Sequence, residues 1–190
     1  DIGLASLMEF RRPLMMWQVC ALCDLGRIEE AGAFHKELRA LFPKNGKSGL
    51  QMSMLSDDEA FPAAKIALAK KDGPMAISKL EESLQWLGEE TFLGSSDHAY
   101  LLDLLGDAYQ LNGQTDKSAK AYARIRELLT GRWDWGVIYS RSFYKLGKLY
   151  EQMGKKVEAR KEYAKFLDLW KDADQGLSEV ADAKKRLAAL

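Results

Sequence analysis

Two cysteines, two histidines and four prolines in 190 residues exclude a disulfide framework and leave little for a histidine metal site. Cys20-Ala-Leu-Cys23 is formally a C-x-x-C pair, which elsewhere makes a redox dithiol or half of a zinc site. Here no second pair exists, and His35 and His98 are the only histidines. The pair falls in a stretch of helical period, so it reads as two small thiols packed on a helix face. Net charge is also lacking: 28 basic residues cancel 28 acidic ones, so there is no global field of the kind nucleic-acid binders use. No run of about 18 apolar residues occurs, and no membrane insertion is expected. No signal-like segment follows Asp1, and the chain reads as a cytoplasmic piece cut from a longer protein.

Catalytic signatures are missing as well. There is no nucleophile elbow, phosphate-cradling glycine loop or zinc-protease motif. Lys44-Asn-Gly-Lys-Ser48 lacks the leading glycine and the strand that a P-loop needs. Asp57-Asp58-Glu59 is explained by acids in the first turn of a helix, where the dipole favours them. The expectation is therefore a non-enzymatic chain with no cofactor and no metal.

What the chain does have is a repeat. Leu105-Gly106-Asp107-Ala108-Tyr109 returns forty-one residues later as Leu146-Gly147-Lys148-Leu149-Tyr150. Each copy is followed by a glycine (Gly113, Gly154) and then by small residues (Ser118 and Ala119; Ala159). An aromatic comes next (Tyr122, Tyr163) and a large apolar residue three further on (Ile125, Phe166). Gly106 and Gly147 fall where two helices of a hairpin must approach closely. Tyr109 and Tyr150 lie on the same helical face. Gly113 and Gly154 sit where a left-handed helix cap is cheapest for glycine.

The pattern L-G-x2-Y, then A-x3-aromatic, resembles the tetratricopeptide repeat, a helix–turn–helix unit of about 34 residues. The resemblance implies an all-α, right-handed α-solenoid of about four antiparallel helix pairs with a C-terminal capping helix. The closing stretch Phe166-Leu-Asp-Leu-Trp-Lys-Asp-Ala-Asp174 through Asp182-Ala-Lys-Lys-Arg-Leu187 and the segment Lys71-Asp-Gly-Pro-Met-Ala-Ile77 are more specific. They resemble the tetratricopeptide tails of large bacterial multidomain proteins that carry a kinase or regulator-like domain. That likeness covers roughly residues 30–190 and carries no catalytic motif.

Along the chain, degenerate repeats are expected over 13–43 and 57–88, clear ones over 97–130 and 136–171, and a cap over 177–190, all in one domain. Residues 3–11 read as a short separate helix, and Pro13 as the start of the helix Leu14 to Leu25. Gly26 turns into a partner helix, Ile28 to Leu41, with Ala31, His35 and Leu38 on one face. Lys44 to Gly49 is loop, Leu50 to Leu55 helical, and 59–70 a helix packing through Ala63, Ala64 and Ala67. Asp72-Gly73-Pro74 turns into a helix with the stripe Ile77, Leu80, Leu84 and Leu87. Ser96 or Asp97 is the expected N-cap of the third pair. The extra length between the clear repeats places an insertion near Thr130 to Gly136. In the cap, Val180, Ala183 and Leu187 face inward, and Lys184, Lys185 and Arg186 outward.

Stacked hairpins present a concave surface lined by their first helices, and such solenoids use it for binding. Helical spacing puts Tyr100, Asp103, Asp107 and Gln110 on that side of one first helix and Arg141, Tyr144, Lys148 and Glu151 on the next. Asp107 would then meet Lys148 or Arg141 between repeats. The partner expected is an extended protein or peptide segment of mixed charge. Residues 56–110 carry 11 acids against four bases and 141–190 carry 12 bases against eight acids. That imbalance suits either solvated helix faces or a polarised groove. Trp133 and Trp135 either tuck against neighbouring helices or anchor an interface. Met8, Met15, Met16, Met52 and Met54 either fill an irregular core or form an adaptable surface for a homodimer.

Overall fold

The computed structural model describes residues 2–41, 60–87, 95–128, 136–173 and 176–190, with side chains from residue 11 onward and, in the third hairpin, from Asp97. Among these residues there are nine helices and no strand. They are α1 (Ile2–Asp24), α2 (Ile28–Leu41), α3 (Ala60–Ala69), α4 (Gly73–Leu87), α5 (Ser95–Leu111), α6 (Thr115–Ile125), α7 (Gly136–Gln152), α8 (Lys156–Leu169) and α9 (Ser178–Ala189). Successive helices pair as hairpins: α1 with α2, α3 with α4, α5 with α6, α7 with α8. Each second helix then packs on the first helix of the next unit, and α8 packs on α9 in the same way. The result is an all-helical solenoid of four hairpins, with α9 in the place a fifth first helix would take.

One turn geometry closes all four hairpins. The chain goes left-handed at Gly26 (φ 74°), Lys71 (φ 59°), Gly113 (φ 70°) and Gly154 (φ 71°). The next residue's N–H then reaches back to the last turn of the first helix: Arg27 to the Leu22 carbonyl, Asp72 to Ala67, Gln114 to Tyr109, Lys155 to Tyr150, at 2.8–2.9 Å. This satisfies carbonyls the helix end would otherwise leave without a partner. Glycine is absent from the second hairpin's turn, so the sequence signal there falls late, on Asp72-Gly73-Pro74. The left-handed residue is Lys71, and Asp72 instead caps α4, accepting the Met75 N–H at 3.1 Å.

The two clear hairpins are held by a glycine under a tyrosine ring. A Cβ on Gly106 would lie 2.2 Å from Tyr122 Cε1, and one on Gly147 2.7 Å from Tyr163 Cε1. Both rings are fully buried. Beside the first contact, the buried Ser118 hydroxyl donates to the Gly106 carbonyl at 2.7 Å. Ala159 occupies the matching place in the last hairpin and is equally buried.

The structure changes several expectations. Residues 3–11 and 14–25 are not separate helices: α1 runs continuously from Ile2 to Asp24 with Pro13 buried inside it. A proline removes one hydrogen bond and crowds one carbonyl, and a long helix packed along its length can absorb that. Helix α5 begins at Ser95, so Ser96 and Asp97 lie in its first turn and do not cap it. The fully buried stripe of α4 is Gly73, Ala76, Leu80, Ser83 and Leu87, with Ile77 and Leu84 flanking it half-buried. Met15 and Met16 are core residues. Cys20 and Cys23 are buried free thiols, and burial pushes Cys20 up to about 12. Arg186 of α9 is half-buried in an ion-pair network instead of facing solvent. The Lys44 to Gly49 loop, Leu50 to Leu55, the acids at 57–59, Met52, Met54, Trp133 and Trp135 lie outside the described residues.

Candidate functional site

The expected binding residues sit on first helices, and the structure shows what each touches. Tyr100 on α5 packs its ring against Trp17 of α1 (6.0 Å) and Phe61 of α3 (5.5 Å), so it belongs to the core between units. Its phenol is raised by burial and eased by Lys65. Lys65 is itself buried and bonds Asp24 of α1 at 2.6 Å. A buried cation is costly unless paired, and Asp24, with its side chain 65% exposed, supplies the pair.

The expected bridge from Asp107 to Lys148 or Arg141 is replaced by another one. Lys145 of α7 reaches Asp103 at 2.8 Å and Asp107 at 2.9 Å on α5. Its ammonium also lies 5.1 Å from the centre of the Tyr122 ring. Tyr122 donates its hydroxyl to Asp107 at 2.5 Å. Burial alone would lower the lysine, but Asp103 and Asp107 outweigh it and hold the ammonium charged above its ordinary range. Burial raises the Asp103 carboxyl, and Lys145 pulls it back. The difference has a simple geometric origin. Lys145 lies one position beyond Tyr144, on the flank of α7 turned toward α5, whereas Arg141 and Lys148 lie on the flank turned toward α9.

Those two residues, with Tyr144 and Glu151, accordingly meet the capping helix. Arg141 pairs with Glu179 at 2.9 Å. The Tyr144 hydroxyl donates to Asp182 at 2.7 Å, and its ring packs on Phe166 at 5.3 Å. Lys148 stands over that ring at 5.4 Å. Glu151 accepts the Tyr163 hydroxyl at 2.8 Å and the Arg186 guanidinium at 2.9 Å. Arg186 also bonds Asp182 at 2.6 Å. Hydrogen bonds from Arg186 and Tyr163 carry Glu151 below its ordinary range against the opposing effect of burial. Asp182 is held low by Tyr144 and Arg186.

Of the expected residues, the structure thus brings together Asp103 with Asp107, and Arg141, Tyr144, Lys148 and Glu151 around α9. Gln110 is exposed at the end of α5. Lys145, Tyr122, Tyr163, Glu179, Asp182 and Arg186 are partners that spacing alone does not single out. Tyr122 and Tyr163 are visible as repeat-equivalent aromatics, but nothing in their spacing shows that each hydroxyl reaches a carboxylate.

The carboxylates of this arrangement are engaged by cations or phenols, and among the described residues no group of three His, Cys, Asp or Glu is placed to hold a metal ion. A separate hollow of about 700 Å³ opens between the start of α7, the end of α8 and the residue before α9. Val137, Tyr139, Leu169, Trp170 and Leu177 line it, with Asp172 at its edge. No described helix is long and apolar enough to cross a membrane.

Comparison with known proteins agrees with this geometry. Residues 141–173 match the tetratricopeptide repeat family, a stretch that begins inside α7 and ends just past α8. No curated protein matches the chain. Among solved structures, one described as "MamA RS-1 ArsTM double mutant" superposes with a TM-score of 0.57 at 17% identity, covering 85% of this chain and 76% of that one. At that identity the likeness concerns the fold. The chain is a helical-repeat α-solenoid whose last hairpin matches the tetratricopeptide repeat.

Proposed function

We propose that the chain is a non-enzymatic scaffold module that holds an extended, mixed-charge segment of another protein along the face of its first helices. It would serve as part of a larger bacterial protein of the kind its closing stretch resembles. The observation that carries this reading is the state of the charges on that face. Asp107 and Arg141 keep side-chain exposures of 41% and 43% while held by cross-helix bonds. Prepaired, half-exposed charges are oriented before a ligand arrives, so little side-chain entropy is lost on binding. The Arg141–Glu179 pair is the more exposed one, of the kind that contributes only about 0–1 kcal/mol, so a ligand can exchange it at little cost. Asp107, by contrast, stays held by the part-buried Lys145 and is presented in a fixed orientation. The half-buried ring of Tyr144 beneath them is already engaged with Phe166 of α8 and Asp182 of α9, and it offers shape more than open apolar area.

Binding on these terms is weak and falls as salt rises, because the Debye length shrinks. The test is fluorescence anisotropy with a panel of extended peptides of alternating charge, at low and high salt. Arg141→Glu and Lys148→Glu should each weaken binding about three- to tenfold, the scale expected when one exposed charge facing the ligand is reversed. Circular dichroism melts should stay at wild-type values. Binding unaffected by either substitution and by salt would remove the first-helix face as the site.

A further inference from the structure

The third and fourth hairpins carry opposite charges at one equivalent place. Asp107 stands six residues before the left-handed Gly113, and Lys148 six before the left-handed Gly154. Both helices have neighbours on either side: α5 is packed by α4 and α7, and α7 by α6 and by Glu179 of α9. The bonds of Asp107 can be counted oxygen by oxygen. A carboxylate accepts about four hydrogen bonds, two on each oxygen. Oδ1 takes the Tyr122 hydroxyl at 2.5 Å and the Lys145 ammonium at 2.9 Å, while Oδ2 takes only Lys145, at 3.0 Å. The one acceptor position left is on Oδ2, and the side chain is 41% exposed. Charge gives the same answer. Lys145 also bonds Asp103 at 2.8 Å, so it is a single cation between two carboxylates, and the nearby Arg141 is matched by Glu179. One negative charge at the α5–α7 junction is therefore uncompensated. Lys148 is the converse. Among the described residues no carboxylate pairs with it, and its ammonium stands over the Tyr144 ring.

We propose, taking the first-helix face as the binding face, that Asp107 receives a lysine side chain of the bound segment and Lys148 an acidic one, and that the α5 position selects lysine over arginine. A lysine ammonium is a compact donor on a flexible stem and needs only one open acceptor. A guanidinium gains most from a fork onto two oxygens, and Oδ1 of Asp107 is already filled. Asp103 does not complete a fork, because its side chain is only 16% exposed and is itself held by Lys145. The incoming ammonium does not take the place of Lys145 either. That lysine is anchored to both aspartates and lies 5.1 Å from the centre of the Tyr122 ring. The ligand's lysine thus adds to a carboxylate already turned and fixed, which keeps the ordering cost of binding low. The acid of the segment then falls at α7, where Lys148 lacks a carboxylate of its own.

The experiment is fluorescence anisotropy of the full chain with extended serine- and threonine-rich peptides that carry one basic residue and one glutamate at varied spacing. The basic residue is lysine, arginine or the uncharged norleucine, so the α5 position is probed without altering the protein. At the best spacing the lysine peptide should bind at least about threefold tighter than the arginine or norleucine peptide. Asp107→Asn keeps an acceptor for Tyr122 and should erase that preference while circular dichroism shows the helices intact. Lys148→Glu should lose affinity for the lysine–glutamate peptide and recover it when the peptide's glutamate is replaced by a second lysine. Arginine equal to or better than lysine, a lysine preference that survives Asp107→Asn, or no recovery in the charge swap would each overturn the proposal. Salt-sensitive binding that Arg141→Glu weakens, but that is blind to lysine against arginine, would overturn it and leave the first-helix face as the binding face. Failure of every peptide to bind would remove both.

Discussion

Alanine in place of Gly106 is a sharp probe of this fold because two opposing effects have calculable sizes. Helix propensity favours alanine over glycine by about 1 kcal/mol in a helix interior, so on local grounds the substitution stabilises. Packing says otherwise. The new Cβ would fall 2.2, 2.6 and 2.7 Å from three atoms of the Tyr122 ring, where carbon atoms prefer about 3.5–4.0 Å. The ring has to retreat by more than an ångström, yet it is fully buried and its hydroxyl is tied to Asp107. Overpacking of this kind costs about 1–3 kcal/mol, and losing a hydrogen bond to a charged group adds about 1.5–3 kcal/mol if the ring swings away. The net expectation for Gly106→Ala is a loss of about 2–3 kcal/mol. At Gly147 the nearest Tyr163 atoms are 2.7, 2.8 and 3.0 Å away, so a smaller shift suffices and the same substitution should cost about 1 kcal/mol. Urea unfolding followed by circular dichroism gives both values. The cost at Gly106 should largely vanish in a Tyr122→Leu background, a coupling that a double-mutant cycle isolates. Equal or greater stability of Gly106→Ala in the native background would refute the close-approach argument.

Two further outcomes follow from the charges and phenols. Lys145→Met leaves Asp103 and Asp107 without their cation and should cost about 3–5 kcal/mol; adding Asp103→Asn should recover most of that loss, and the chemical unfolding midpoints report both. In alkaline titration, burial and then hydrogen bonding to Glu81 and Asp182 push Tyr109 and Tyr144 from 10.0 up to about 12, and Tyr122 and Tyr163 shift upward too. Between those values the unfolded chain has released protons that the folded chain retains, so stability is intact below pH 10 and falls as pH rises from about 10 to 12. Tyrosinate absorbance should therefore appear together with the loss of helix; ionisation of these phenols near pH 10 with helicity intact would contradict the assignment.

How much of this is legible in the sequence depends on whether a feature is local or relational. Gly106, Gly147, Gly113 and Gly154 announce themselves because each answers a constraint of its own backbone or its immediate contact. Lys71 does not, because a lysine gives no sign that its residue must go left-handed; only the hydrogen bond from Asp72 to Ala67 reveals it. Pro13 misleads for the opposite reason, since a strong local signal is overridden by packing along the whole of α1. The expected binding residues fall on first helices, because spacing fixes a face. Spacing does not say which neighbouring helix that face meets. Hence Lys145, one residue from Tyr144, escapes a reading by spacing although it joins α5 to α7. In the same way Arg186 reads as a solvated charge until Glu151 is seen opposite it.

The uniform left-handed turns have a consequence for how this architecture tolerates change. They join each first helix to its partner by the same few residues, from Asp24 to Ile28, Ala69 to Gly73, Leu111 to Thr115 and Gln152 to Lys156. The joins from one hairpin to the next vary widely, from Leu41 to Ala60 in one case and from Leu87 to Ser95 in another. The helix ends they connect all lie on the opposite rim. One rim is therefore a fixed hinge line that sets the phase of every helix, and the other is where length is free. Loops or tags inserted at the variable rim would leave the phase intact. A single residue added at the hinge line would break the left-handed turn and its hydrogen bond back to the first helix, and so disturb the phase in which the following helix presents its buried stripe.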